Sequence, residues 1–92
     1  MSAAAARYTV VLKPAAERAL KKIAQPTLRR IAKAIDNLGT DPRPSGATAL
    51  QGEPGLLRIR VSDYRIIYSV HDEVLTVLVV TVGHRREVYQ RR

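Results

Sequence analysis

Residues 57–70 read LRIRVSDYRIIYSV, and the way this stretch folds on itself decides the architecture. Two runs of alternating polar and apolar residues flank Ser62-Asp63, a turn signal, so the segment reads as a β-hairpin. A two-residue loop pairs Val61 with Tyr64 and therefore Arg60 with Arg65, and it sets Arg58 opposite Ile67. A four-residue loop gives the same register, whereas an odd-length loop breaks it. In the even register Arg58, Arg60 and Arg65 share one face, and Leu57, Ile59, Val61, Tyr64, Ile66 and Tyr68 form the other. The apolar face is the core side. Like charges opposite one another destabilise a sheet, and guanidinium groups stay protonated at physiological pH. Three arginines on one face thus point to a polyanion.

Working outward, the chain of 92 residues fits one small domain with a modest core. It has no Phe, Trp or Cys and a single Met, so Leu, Ile, Val, Ala and Tyr must build that core. Without cysteine there are no disulfides and no thiolate metal sites, which suits a reducing cytosol. No apolar run is long enough to span a bilayer. The first six residues, MSAAAA, lack the long apolar stretch of a signal peptide and read as a disordered leader, with the domain at 7–92.

The net charge is +8, which points to nucleic acid, an acidic protein or an anionic membrane as partner, and no membrane partner is expected. Residues 1–40 hold eight Lys/Arg against two acids, and residues 56–92 hold seven against four, so two separate basic surfaces are expected.

Upstream of the hairpin, RYTVVLK (7–13) is a strand rich in β-branched residues. Pro14 opens a helix, on which Ala16, Ala19, Leu20 and Ile23 recur at helical spacing. Gln25-Pro26 breaks it and starts a second helix, with Leu28, Ile31, Ile35 and Leu38 as its stripe. Arg29, Arg30 and Lys33 lie off that stripe, on a solvated face open to RNA or to an acidic partner. Gly39 is placed to close the helix. Residues 40–55, TDPRPSGATALQGEPG, form the one long irregular segment, anchored by Leu50, and loops of this length in small domains are often functional.

Downstream, residues 74–82, VLTVLVVTV, are apolar on both faces. They form a central strand, or a strand whose second face is covered by something else. The end, GHRREVYQRR (83–92), leaves the sheet at Gly83 and is expected as a short helical tail carrying His84, Arg85, Arg86 and Tyr89 back toward the arginine face. RNA cleavage by transesterification needs a base for the ribose 2′-OH, cationic stabilisation of the phosphorane and a donor for the departing 5′ oxygen. Arginines supply the second through charge-assisted bonds to phosphate. A free Tyr titrates near ~10 and Arg above ~12, far from neutral pH, although clustered guanidiniums lower a nearby Tyr pKa. His84 is the cluster's neutral-pH proton carrier. The acids Asp63, Asp72, Glu73 and Glu87 form no evident carboxylate cluster, so neither metal nor cofactor is implied.

The run from 50 to 89, LQGEPGLLRIRVSDYRIIYSVHDEVLTVLVVTVGHRREVY, resembles the RelE branch of the RelE/ParE toxin superfamily. The resemblance rests on GEPGL at 52–56, the alternating basic strand, DYRIIY at 63–68, the apolar strand and GHRREVY. It extends more loosely over the whole chain. It implies a small α+β domain in which an N-terminal strand and a helical hairpin pack with an antiparallel β-sheet, ending in a short C-terminal helical tail. It also implies a cytoplasmic type II toxin that enters the ribosomal A site and cuts mRNA without metal. The partners it implies are a RelB-like antitoxin, the ribosome with its mRNA, and operator DNA only as the antitoxin complex. The family's catalytic positions fall on Arg58, Arg60, Arg65, Arg85 and Tyr89. His84, Arg86, Arg29, Arg30 and Lys33 are secondary candidates for RNA contact. Some members carry lysine where Arg58 and Arg60 stand, so charge is kept while an easily deprotonated amine is lost. Two alternatives remain. One is a ParE-like, non-enzymatic inhibitor of DNA gyrase on the same fold. The other is a plain nucleic-acid-binding module, for which the chain has few aromatics to stack on bases.

Overall fold

The computed structural model describes residues 7–84; the leader 1–6 and the tail 85–92 lie outside the described residues. Strand β1 (Thr9–Leu12) leads into α1 (Pro14–Lys21), and α2 (Thr27–Asn37) follows. Then come β2 (Thr48–Ala49), β3 (Leu57–Val61), β4 (Tyr64–His71), a single 3-10 turn (Asp72–Val74) and β5 (Thr76–His84). The strands form one sheet in the order β1-β5-β4-β3-β2, with two helices packed on it.

The α+β class and the helical hairpin expected from the sequence are both present. Pro14 occupies the first turn of α1, where the missing N–H costs nothing. On α2, Ile31, Ile35 and Leu38 are buried, while Arg29, Arg30 and Lys33 stay exposed. Helix α1 packs against β5 and α2 against β3. The core cluster joins Ala16, Ile23, Ile31, Ile35 and Leu38 to Ile59, Ile66, Tyr68, Val77, Val79 and Val82 of the sheet.

The sheet is mixed, because β1 runs parallel to β5, Thr9 beside Thr76 and Leu12 beside Val79, while β2 to β5 pair antiparallel. A parallel pair needs a crossover connection. The α1–α2 hairpin and the strands after it supply it, which is why local pattern gave no sign of the pairing. The two-residue β2 inside the long irregular segment is also unanticipated. It pairs Thr48 with Arg58 and Ala49 with Leu57.

The two-faced apolarity of residues 74–82 has a structural cause. Strand β5 lies inside the sheet, between β1 and β4. Its register against β4 slips, Ile67 pairing with Thr81 but Tyr68 with Val79, so Val80 is an extra residue in a β-bulge. A bulge reverses the alternation of faces beyond it. Val77 and Val79 before it and Val82 after it therefore all reach the helix-side core.

Gly39 follows the last turn of α2, as expected, but its requirement is close approach and not a left-handed backbone. A Cβ there would stand 3.0 Å from the Tyr8 carbonyl oxygen and 3.3 Å from the Arg7 guanidinium. The Tyr8 N–H donates to the Gly39 carbonyl at 2.7 Å, tying β1 to the end of α2.

Candidate active site

The hairpin register fixes the site. Val61 pairs with Tyr64, Arg60 with Arg65, Ile59 with Ile66 and Arg58 with Ile67, as the two-residue loop requires. Ser62 takes φ 55, the positive value a tight hairpin turn demands. In a two-residue hairpin the pair flanking the loop exchanges both backbone bonds, so Arg60–Arg65 is a non-hydrogen-bonded pair, the kind with Cα atoms only about 4.5 Å apart. Two guanidinium stems thus leave the sheet side by side, and Arg58 follows two residues along the same face.

That face is opposite the helices. Arg65 is also opposite Gly83 on β5, giving the row Arg60–Arg65–Gly83 across three strands, beside the row Arg58–Ile67–Thr81. Gly83, which is buried, places no side chain in that row beside Arg65. The three arginines differ in exposure: Arg60 is exposed, Arg58 half-buried and Arg65 only 2 % exposed. The register places Arg65 on the non-core face, as the hairpin reading requires. It is buried there together with Ile67, at 4 %. Ile67 stands apart from the helix-side core cluster, so burial on this sheet extends to the face that carries the arginines.

His84 is not in a helical tail. It is the last residue of β5, directly opposite Tyr64, and its ring meets the Tyr64 ring edge-on with centroids 5.4 Å apart at 81°. Tyr64 belongs to the helix-side face, so His84 points away from the arginines. The sequence reading that swung it back toward them failed because β5 continues through Gly83. Arg85, Arg86 and Tyr89 lie outside the described residues. Arg29 and Lys33 are exposed on α2, across the sheet from the arginine face. Arg30 extends to the hairpin turn, its Nη1 3.5 Å from Ser62 Oγ.

Along the outer edge of β3 is an open cavity of about 540 Å³. Ala34 and Asn37 of α2, Pro44 and Gly46 of the following loop, Thr48 of β2 and residues 58–61 of β3 line it, with no acidic side chain among them. Strand β2 pairs with β3 only as far as Arg58, which leaves the edge from Ile59 onward facing this space.

A further cluster joins residues far apart in sequence. The Tyr8 hydroxyl donates to Asp72 Oδ1 at 2.6 Å. The Arg43 guanidinium donates to both Asp72 oxygens, at 3.1 and 2.9 Å. Hydrogen bonds from Arg43 and then Tyr8 lower the Asp72 pKa to about 2. The same carboxylate raises the Arg43 and Tyr8 pKa values by accepting their hydrogen bonds. Local pattern held no signal for this cluster, whose members come from the residue before β1, the 38–47 loop and the β4–β5 turn. Among the described residues no group of three or more His, Cys, Asp or Glu is placed to hold a metal ion, and no helix is long and apolar enough to cross a membrane.

Comparison with known proteins agrees with this fold. Residues 10–89 match the family model described as the ParE toxin of the type II toxin–antitoxin system parDE. Toxin RelG of Mycobacterium tuberculosis is 31% identical over 85 residues, covering 91% of this chain and 98% of its own. Among solved structures, the toxin–antitoxin complex RelBE2 of Mycobacterium tuberculosis superposes with a TM-score of 0.77 at 30% identity, over 86% of this chain and 92% of that one. The isolated RelE toxin of E. coli gives 0.73 at 29% identity, over 89% and 90%. The chain belongs to the RelE/ParE superfamily of type II toxin–antitoxin toxins, and within it is a toxin of the RelE type.

Proposed function

We propose that this toxin is a ribosome-dependent endoribonuclease that cuts mRNA in the ribosomal A site and so stops translation. The observation that carries the reading is the Arg60–Arg65 pair, set side by side on the face away from the helices with Arg58 next to it. Forked guanidiniums bind phosphate oxygens bidentately and stabilise charge that grows in the transition state. In this reading the ribose 2′-oxygen attacks the adjacent phosphorus while its proton passes to a base. The P–O5′ bond breaks, and the 5′ oxygen leaves protonated. Products are a 2′,3′-cyclic phosphate, or the 3′-phosphate it hydrolyses to, and a 5′-hydroxyl. Arg58, Arg60 and Arg65 hold the scissile phosphate, Arg85 neutralises the phosphorane, and Tyr89 orients or deprotonates the 2′-OH. Because arginine and tyrosine are poor acid–base groups at neutral pH, the ribosome supplies positioning, and free RNA is a poor substrate.

Inhibition is by a RelB-like antitoxin in the cytoplasm. Support comes from the solved relatives, which include complexes of RelE with RelB from Pyrococcus horikoshii and E. coli. Operator DNA is contacted only through the antitoxin complex. The family model's description keeps one alternative in play, a ParE-like inhibitor of DNA gyrase. A translation extract with a defined mRNA decides between them. Primer extension shows cuts within codons if the toxin is an mRNA endonuclease, and uncut mRNA with accumulating gyrase–DNA breaks if it is the inhibitor.

A further inference from the structure

The loop after α2 begins at one anchor and ends at the arginine edge. Its start is held twice: the buried Tyr68 hydroxyl donates to the Pro42 carbonyl at 2.8 Å, and Arg43 grips Asp72, which Tyr8 also engages. The next residues, Pro44 and Gly46, together with Thr48, make the outer wall of the cavity that Asn37, Arg58 and Arg60 complete. Arg43 and Asp72 are both more than half exposed, and exposed ion pairs add little stability. A bidentate carboxylate with a tyrosine as third partner is therefore more geometry than stability alone calls for. What it does fix is where the loop runs.

We propose that Tyr8, Asp72 and Arg43 are positioning residues: they hold the 42–48 loop so that the cavity beside Arg58 and Arg60 receives the nucleotide next to the cleaved bond. This rests on the endoribonuclease reading. Three features select a single-stranded polynucleotide as the occupant. The volume of about 540 Å³ accommodates a nucleotide, two arginines line it without any acid, and the Asn37 amide and Thr48 hydroxyl offer donors and acceptors to a base edge. Pro44 and Ala34 add apolar surface for the ring. The arginine face then holds the scissile phosphate and the edge cavity holds its neighbour, so the clamp, remote from the chemistry, sets how the strand lies.

The test uses the full-length protein and a 2′-O-methyl RNA tetranucleotide, which cannot be cleaved, followed through backbone amide resonances. Expected are shifts at Asn37, Gly46 and Thr48 with the native protein. Arg43→Gln and Asp72→Asn should each weaken that binding at least fivefold while resonances of the helices and of β4 stay in place. The exchanged pair Arg43→Asp with Asp72→Arg should recover part of it, which a merely destabilised loop would not. Asn37→Leu, inside the cavity and away from the clamp, should weaken binding without moving the Arg43 resonances. Unshifted amides at these three residues, or clamp variants that bind as the native protein does, would overturn the inference. Shifts there with an acidic peptide but none with the oligonucleotide would overturn it too, in favour of a protein occupant. Binding is read without cleavage. A protein that binds the tetranucleotide through this cavity yet leaves ribosomal mRNA intact keeps the nucleotide site and sinks the proposed reaction.

Discussion

Arg60 and Arg65 stand directly across the β3–β4 ladder from each other, one exposed and the other 2 % exposed. The pairing gives the two arginines the same direction but different duties. Arg60 answers only to what binds the face, whereas Arg65 is also buried within the fold. Arg60→Ala is expected to cost on the order of 2–4 kcal/mol in the cleavage transition state, as for other groups that stabilise developing charge, with thermal stability unchanged. Arg65→Ala should lose cleavage comparably and also lower the melting temperature by several degrees, through packing lost around its buried stem. Single-turnover cleavage beside calorimetry of each variant checks the contrast. Equal melting temperatures would show the Arg65 burial to be without energetic consequence.

His84 points away from the arginine face, so under the proposed reaction Tyr89 and not His84 is expected to activate the 2′-OH. With its ring against Tyr64 on the helix side, His84→Gln should leave cleavage near native and cost stability of roughly 0.5–1.5 kcal/mol, the worth of an edge-on aromatic pair. Tyr89→Phe should lower the single-turnover rate by the ~10²–10⁴-fold typical of general-base removal. A pH–rate profile of the native protein with a limb near ~6.5 would assign the base to histidine instead.

Much of this site is legible in the sequence. The hairpin register followed from even loop length and strict alternation in residues 57–70, because a one-residue slip would expose Ile59 and Ile66. The α2 stripe was equally plain in Leu28, Ile31, Ile35 and Leu38. What the chain concealed arose from non-local geometry. Nothing near Thr9 announces a parallel partner at Thr76, and the Val80 bulge is invisible in an all-apolar run whose faces read alike. His84 was misplaced because Gly83 looks like an exit from the sheet, whereas it is paired with Arg65 inside the β4–β5 ladder. The Tyr8–Asp72 bond joins residues brought together only by the completed sheet.

The Asp72 clamp carries a pH signature. Its carboxyl titrates at about 2 in the fold, against ~3.9 in an unfolded chain. A depressed folded pKa means a contribution fully present above ~4 and lost as pH falls from there through about 2. Because the pair is more than half exposed, that contribution is small; melting temperature measured from pH 6 to 2 should still fall slightly more steeply for the native protein than for Asp72→Asn between pH 4 and 2. Parallel curves across that window would contradict the clamp.

Gly39→Ala tests the seam between α2 and β1. The added methyl would meet the Tyr8 carbonyl at 3.0 Å, a backbone atom with little freedom to retreat while its own N–H is bonded to Gly39. A loss of roughly 1–3 kcal/mol is expected, in the range of overpacking substitutions. Urea denaturation measures it, and a variant as stable as the native protein would mean that β1 can shift without cost.

The most direct measurement of the central claim programs purified ribosomes with an mRNA of defined A-site codon and adds the toxin in single-turnover excess. The same mRNA without ribosomes and the Arg60→Ala variant run in parallel. The account predicts one cut within the A-site codon, leaving a 5′-hydroxyl on the downstream fragment, with naked mRNA untouched and the Arg60→Ala rate reduced by on the order of 10²-fold or more. Equal cutting of naked and ribosome-bound mRNA, or a native rate for Arg60→Ala, would contradict it.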